Sequence, residues 1–325
     1  MLNLKRNIRF CVVFFAFAVF ARADGFNENA NFAYRYGPNL SLSVMGNTPF
    51  VWGQWLPQAV GMAHYTWLEP LEDLAYGEPL GINPAYLRMD AAIEVAPFYG
   101  GYLAGLGIRP FKTNPQIELN AVYESYVYFK SNLEMVTAEV ENEGRIAGSW
   151  NADYITDNLY ENDGAFDYMQ SIDLSASLSY AFPRGSILGF KLHYILSDVS
   201  TDFDGKSYDY KRNIPVFSRD FLIELDAYGR IPLAKHFAAL FESNFYKTGY
   251  LRDHNTVQKE SLGYGKALLG AHFFWNEDKH NLIMEIGGWR RVDSDFYSGS
   301  FAQQFLVQLE YQWYFSFPLR RNFSK

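Results

Sequence analysis

The stretch that decides the fold is residues 301–317, F-A-Q-Q-F-L-V-Q-L-E-Y-Q-W-Y-F-S-F. Phe305, Val307, Leu309, Tyr311, Trp313, Phe315 and Phe317 fall on one face; Gln304, Gln308, Glu310 and Gln312 fall on the other, with Leu306 and Tyr314 as exceptions. A period of two sustained over this length predicts a β-strand, longer than the ~5–6 residues usual in soluble sheets. One face is aliphatic and then aromatic, and the other carries amides and a carboxylate. Such a strand suits lipid on one side and a wet lumen on the other.

The same dyad recurs upstream. Leu87, Met89, Ala91, Ile93 and Val95 oppose Arg88, Asp90, Ala92 and Glu94, and a glycine-rich strand over 99–108 follows, ended by Arg109-Pro110. Ile117, Leu119, Ala121 and Tyr123 oppose Glu118, Asn120 and Glu124. Ile172, Leu174, Ala176, Leu178, Tyr180 and Phe182 oppose Asp173, Ser175, Ser177 and Ser179. Pro183-Arg184-Gly185 then turns the chain, and Leu188, Phe190, Leu192, Tyr194 and Leu196 return opposite Lys191 and His193, which predicts a hairpin. Phe221, Ile223, Leu225 and Ala227 face away from Glu224 and Asp226; Phe237, Ala239, Phe241 and Phe245 from Glu242 and Asn244; Leu282, Met284 and Ile286 from Glu285. A glycine-rich segment, 262–275, carries Lys266. Nearer the start, 31–45 alternates twice around Gly37-Pro38 and reads as one bent strand or two short ones. Residues 50–67 form a weaker strand, and 68–84, with three prolines, a loop or short surface helix.

The connections carry a second pattern. Short ones fall near 110–114, 183–185, 231–235 and 276–280, and longer ones near 131–167, 200–216, 251–259 and 294–300. Short and long alternate, as periplasmic turns and external loops do in a membrane barrel. Counting back from the last strand gives about twelve strands, with ten or fourteen also compatible. The expected fold is an all-β, transmembrane, antiparallel up-and-down barrel. A soluble β-sandwich is the competing architecture, and nothing in a sandwich demands that loop alternation.

Composition excludes other classes. Past the N-terminus no apolar run approaches a membrane helix, and the mean hydropathy is slightly negative. Yet aromatics make up 18% of the chain, as expected when alternate residues face lipid and aromatic girdles mark both interfaces. Lys5, Arg6 and Arg9 precede an apolar run, and Ala21-Arg22-Ala23 supplies a cleavage pattern, so residues 1–23 read as a signal peptide. Removing them takes away four bases (Lys5, Arg6, Arg9 and Arg22) and no acid, moving the net charge from -8 to -12. It also removes Cys11, the single cysteine. The acidity argues against nucleic acid as a partner. The domain scheme is a signal peptide over 1–23, a barrel over 24–317 and a basic periplasmic tail over 318–325.

The cleavage site, dyad strands, alternating loops and the terminal Tyr311-x-Trp313-x-Phe315-x-Phe317 together resemble a Gram-negative outer-membrane β-barrel of the porin-like kind. No narrower family is matched. The resemblance implies the bacterial outer membrane as location, and outer-membrane lipid and the barrel-assembly machinery as partners. That machinery reads a terminal aromatic, and here eight residues, 318–325, follow Phe317.

If the aliphatic faces meet lipid, the lumen is lined by Arg88, Asp90, Glu94, Glu118, Glu124, Asp173, Lys191, His193, Glu224, Asp226, Glu242, Lys266, Glu285 and Glu310. The excess is acidic, which favours cations over anions in a water-filled pore. Such charges could equally pair with one another in a closed lumen. The expectation is a passive channel or porin for small solutes or ions with mild cation preference. The alternative is a non-conducting surface barrel whose external loops, 131–167 above all, bind a partner. A third reading is a lipid hydrolase using His193 with Ser175, Ser177 or Ser179. It is disfavoured because those residues face the lumen and no G-x-S-x-G occurs. No catalytic residue, cofactor or metal ligand is expected; Asp202-Phe203-Asp204-Gly205 and Asn162-Asp163-Gly164 read as solvated turns.

Overall fold

The computed structural model describes residues 35–51, 54–55, 58–72, 77–78, 80, 83–96, 99–128, 167–199, 206–209, 214–217, 219–248, 263–276, 279–291 and 303–316. The expected signal peptide, almost all of the 131–167 loop, both acidic turn motifs and the basic tail lie outside these residues. Among the described residues there are fifteen strands: β1 (Gly37–Val51), β2 (Gln54–Trp55), β3 (Gln58–Pro70), β4 (Tyr86–Val95), β5 (Tyr99–Arg109), β6 (Gln116–Tyr128), β7 (Asp167–Ala181), β8 (Ile187–Val199), β9 (Lys206–Asp209), β10 (Ile214–Phe217), β11 (Arg219–Ala234), β12 (Phe237–Thr248), β13 (Gly263–Trp275), β14 (His280–Arg291) and β15 (Gln303–Ser316). β2 pairs only with the end of β1, and β9 and β10 pair with each other. The remaining twelve form one antiparallel sheet in chain order, and β15 pairs back onto β1 to close it. The fold is therefore a closed up-and-down barrel, as the dyads predicted.

The seam runs from Asn39↔Ser316 to Phe50↔Phe305. Gly37-Pro38, expected to interrupt the first strand, instead opens it. Gly37 takes φ 97°, a left-handed conformation open to glycine, and proline is tolerated at a strand start. The weaker 50–67 strand becomes β3, shifted to 58–70. The connection expected at 200–216 carries the β9–β10 hairpin, and β11 continues through the residues read as a turn at 231–234.

Register reports the tilt. A line of directly paired residues starts at Gln304 in β15 and passes through Trp289, Lys266, Asn244, Asp226, Lys191 and Ser177 to Glu118; one step beyond the Ile108↔Leu119 pair it continues to Arg109, whose partner is Tyr86. It ends at Pro70, the last residue of β3. It begins near one rim and ends at the other, as barrel closure with tilted strands requires. At the end where β1 starts and β15 finishes, the connections are mostly short: 110–115, 182–186, 235–236 and 276–279. The first half departs from that rule, with a long connection at 71–85 on this end and a short one at 96–98 on the other.

Side chains alternate along most of the wall; β4 reads buried-exposed throughout, while the alternation breaks at the start of β13. Outward aliphatics are open, with Ile93 62% exposed, Leu106 63% and Leu192 51%. Aromatics flank them. Toward the terminal rim lie Tyr180, Phe182, Phe273, Trp275 and Trp313, with Trp275, His280 and Trp313 stacked in a row. Toward the other rim lie Tyr102, Tyr168 and Phe245. An apolar band of this extent cannot face water and marks a lipid-facing surface. Leu192→Arg, near the middle of β8, is expected to lower stability in lipid vesicles by ~2–4 kcal/mol, read from urea unfolding; a neutral effect would place that face elsewhere.

Candidate functional site

All fourteen residues expected to line the lumen lie on the inner face. Thirteen are buried at 8% exposure or less, and the Asp173 side chain is 13% exposed. They do not stand apart in water but are brought into networks.

The largest spans β3 to β6. Arg109 donates to Glu118 Oε2 through Nη2 at 2.6 Å and Nε at 3.1 Å, and to Gln116 at 3.1 Å. Tyr86 Oη donates to the same carboxylate at 3.1 Å, and the Arg109 guanidinium lies 5.0 Å from the Tyr86 ring centre. Arg88 pairs with Glu118 Oε1 at 3.0 Å and Asp90 at 2.7 Å, and donates to Asn120 at 2.9 Å. Asp90 also meets His64 at 3.1 Å and accepts from Thr66 at 2.9 Å. Arg88 and Asn120 sit two strands apart, with Gly107 of β5 between them in register. A Cβ at Gly107 would collide with Asn120 Oδ1 and lie 3.3 Å from Arg88 Nε. Glycine is thus required there so that side chains meet across β5. At Gly189 the role is different: the ring of Tyr228, its direct partner, covers the bare backbone.

A second network spans β7 to β12. His193 Nδ1 lies 2.7 Å from Asp173 and Nε2 lies 3.1 Å from Asp226. Asn244 Nδ2 donates to Asp226 at 2.7 Å and Glu224 at 3.2 Å. Lys266 pairs with Glu242 at 3.1 Å, and Lys191 stands directly opposite Asp226. Elsewhere Ser171 donates to Glu124, and Gln312 to Glu310. Glu94 and Glu285 are buried at 6% and 3% on the same face. Ser175 is the register partner of His193, yet both imidazole nitrogens face carboxylates, so the hydrolase geometry of an imidazole directed at a serine is not the one adopted.

Sequence reading missed two bases. Arg109 sits beside Pro110 at the end of its strand, and Arg230 lies beyond the stretch of β11 whose alternation is clean. Arg230 is buried, its Nε 3.3 Å from His272 Nδ1, and His272 meets Asn281 at 2.7 Å. The signal for both was parity, because each continues the inward set of its strand. Toward the rim away from the termini, Ile195, Leu222, Tyr246, Tyr264, Leu268, Trp289 and Leu306 form an apolar cluster inside the barrel.

No protein-family model matches the sequence. No curated protein matches it either. In structure the barrel is similar to an outer-membrane channel from Pseudomonas putida F1, at 13% identity and TM-score 0.50, covering 90% of this chain and all of that one. The likeness is one of fold, that of an outer-membrane β-barrel. More distant likenesses include the NanC porin, at 9% identity and TM-score 0.39 over 84% of this chain and 98% of that one. The translocator domain of autotransporter NalP from Neisseria meningitidis stands at 12% identity and TM-score 0.41, over 87% of this chain and 89% of that one.

Because two guanidinium groups converge on Glu118, Glu118→Ala is expected to cost ~3–5 kcal/mol by stranding buried charge. Unfolding in urea checks this, and pairing it with Arg109→Met is expected to recover part of the loss.

Proposed function

We propose that the barrel is a narrow passive channel for small solutes and ions, with a preference for cations. The observation that carries this reading is the polar inner face, which runs the length of the wall and is unbalanced in charge. Among the described residues, ten buried or nearly buried carboxylates face inward, namely Asp90, Glu94, Glu118, Glu124, Asp173, Glu224, Asp226, Glu242, Glu285 and Glu310. Five bases oppose them, Arg88, Arg109, Lys191, Arg230 and Lys266. The remaining negative potential raises the local concentration of cations and repels anions. The similar barrel from Pseudomonas is described as a channel, which agrees with this reading.

These inward groups are buried and engaged with one another, and the apolar cluster that includes Trp289 lies inside the barrel toward one end. Hydrophobic constrictions of this kind restrict ions by dewetting. The reading is non-enzymatic: the interior holds charged networks, and its best-placed histidine is engaged by aspartates.

Planar-bilayer recording of the purified barrel tests this. Under a potassium chloride gradient the reversal potential is expected to have the sign of cation preference, and single-channel conductance is expected to be small. Trp289→Ala is expected to raise the conductance without reversing selectivity. Absence of any conductance, or anion preference, would overturn the proposal.

A further inference from the structure

The second interior network gathers metal-ligand side chains from neighbouring strands into one buried spot. His193, Glu224 and Asp226 each offer a ligand atom, and the three atoms lie within 4.8 Å of one another. Their exposures are 2%, 0% and 0%. Asp173, on β7, holds His193 Nδ1 at 2.7 Å. A carboxylate on one ring nitrogen fixes the tautomer and leaves the other nitrogen as an oriented lone pair, the arrangement that positions metal-ligating histidines. Here that second nitrogen, Nε2, is directed at Asp226.

An independent observation comes from Asn244, which is 1% exposed. Its amide nitrogen bridges Glu224 and Asp226, while its Oδ1 accepts no hydrogen bond. A buried amide oxygen without a donor is costly. A half-turn of the amide brings that oxygen to the two carboxylates, where it is repelled unless a cation lies between them.

Charge points the same way. Asp173, Glu224 and Asp226 bring three negative charges together, and Lys191, directly opposite Asp226, supplies one positive charge. Three carboxylates gathered this closely in a buried setting favour a cation among them.

We infer that His193, Glu224, Asp226 and Asn244 bind a divalent transition-metal ion of the zinc class, with Asp173 positioning the imidazole. One nitrogen and several oxygens in a compact set suit zinc, whereas calcium and magnesium take oxygen-only shells. The ion ties β8, β11 and β12 together from inside the wall. The inference stands whether or not the barrel conducts.

The test is refolding of the full-length protein from urea into detergent micelles, with zinc chloride or with EDTA, followed by desalting and elemental analysis. One zinc per barrel is expected, in a species that keeps a heat-shifted gel band. Glu224→Gln, which preserves shape, is expected to lose stoichiometric zinc, and Asp173→Asn to weaken zinc binding by about 10–100-fold. His64→Ala, in the other network, is expected to bind as wild type does. If His193→Ala fails to refold, Glu224→Gln and Asp173→Asn decide. No zinc in the refolded wild type, or unchanged binding in both of those variants, would overturn the inference.

Discussion

Closure of β1 onto β15 is the constraint on which everything else depends. In hydrocarbon every backbone donor and acceptor must be paired within the protein, and a sheet meets that demand only if it has no edges. The twelve directly paired positions from Asn39↔Ser316 to Phe50↔Phe305 remove the last edge. Closure forces the strands to tilt, and tilt combined with the alternation of side chains determines which residues share the interior.

That interior is a set of cross-strand networks. Where side chains must reach beyond their immediate neighbour, the intervening strand gives way, as at Gly107 between Arg88 and Asn120. Where a glycine leaves backbone bare, a ring covers it, as Tyr228 covers Gly189. Burying an unbalanced charge set is expensive, so each inner base is placed where carboxylates or polar groups can receive it. The acid excess that remains is the physical basis for the proposed cation preference, and the cluster around His193 is the basis for the proposed metal site.

Much of this was legible because a period of two is a strong signal when lipid enforces it. The β7–β8 hairpin, with six outward apolar residues opposing Asp173 and three serines, could be read directly, and so could the inward set from Arg88 to Glu310. The legible part thinned where local chemistry broke the period. Gly37-Pro38 looked like an interruption because glycine and proline usually punctuate, yet here they begin a strand whose partner is more than 250 positions away in the chain. Arg109 and Arg230 were overlooked because a charged residue beside Pro110, or after Gly229, resembles a turn. The meeting of His193 with both Asp173 and Asp226 was beyond sequence reading, since it depends on register among three strands.

The most direct test of the barrel is its seam. Val44 and Tyr311 are direct partners on the outer face, 60% and 37% exposed, at a separation of roughly 4.5–5.5 Å between Cβ atoms expected for such pairs. In a Cys11→Ser background, cysteines at 44 and 311 are predicted to be joined within one chain by a short bifunctional thiol reagent. Cysteines at 44 and 312, which face opposite sides of the sheet, are predicted not to be. A link at 44 and 312 with none at 44 and 311, or links only between chains, would contradict a closed barrel in this register.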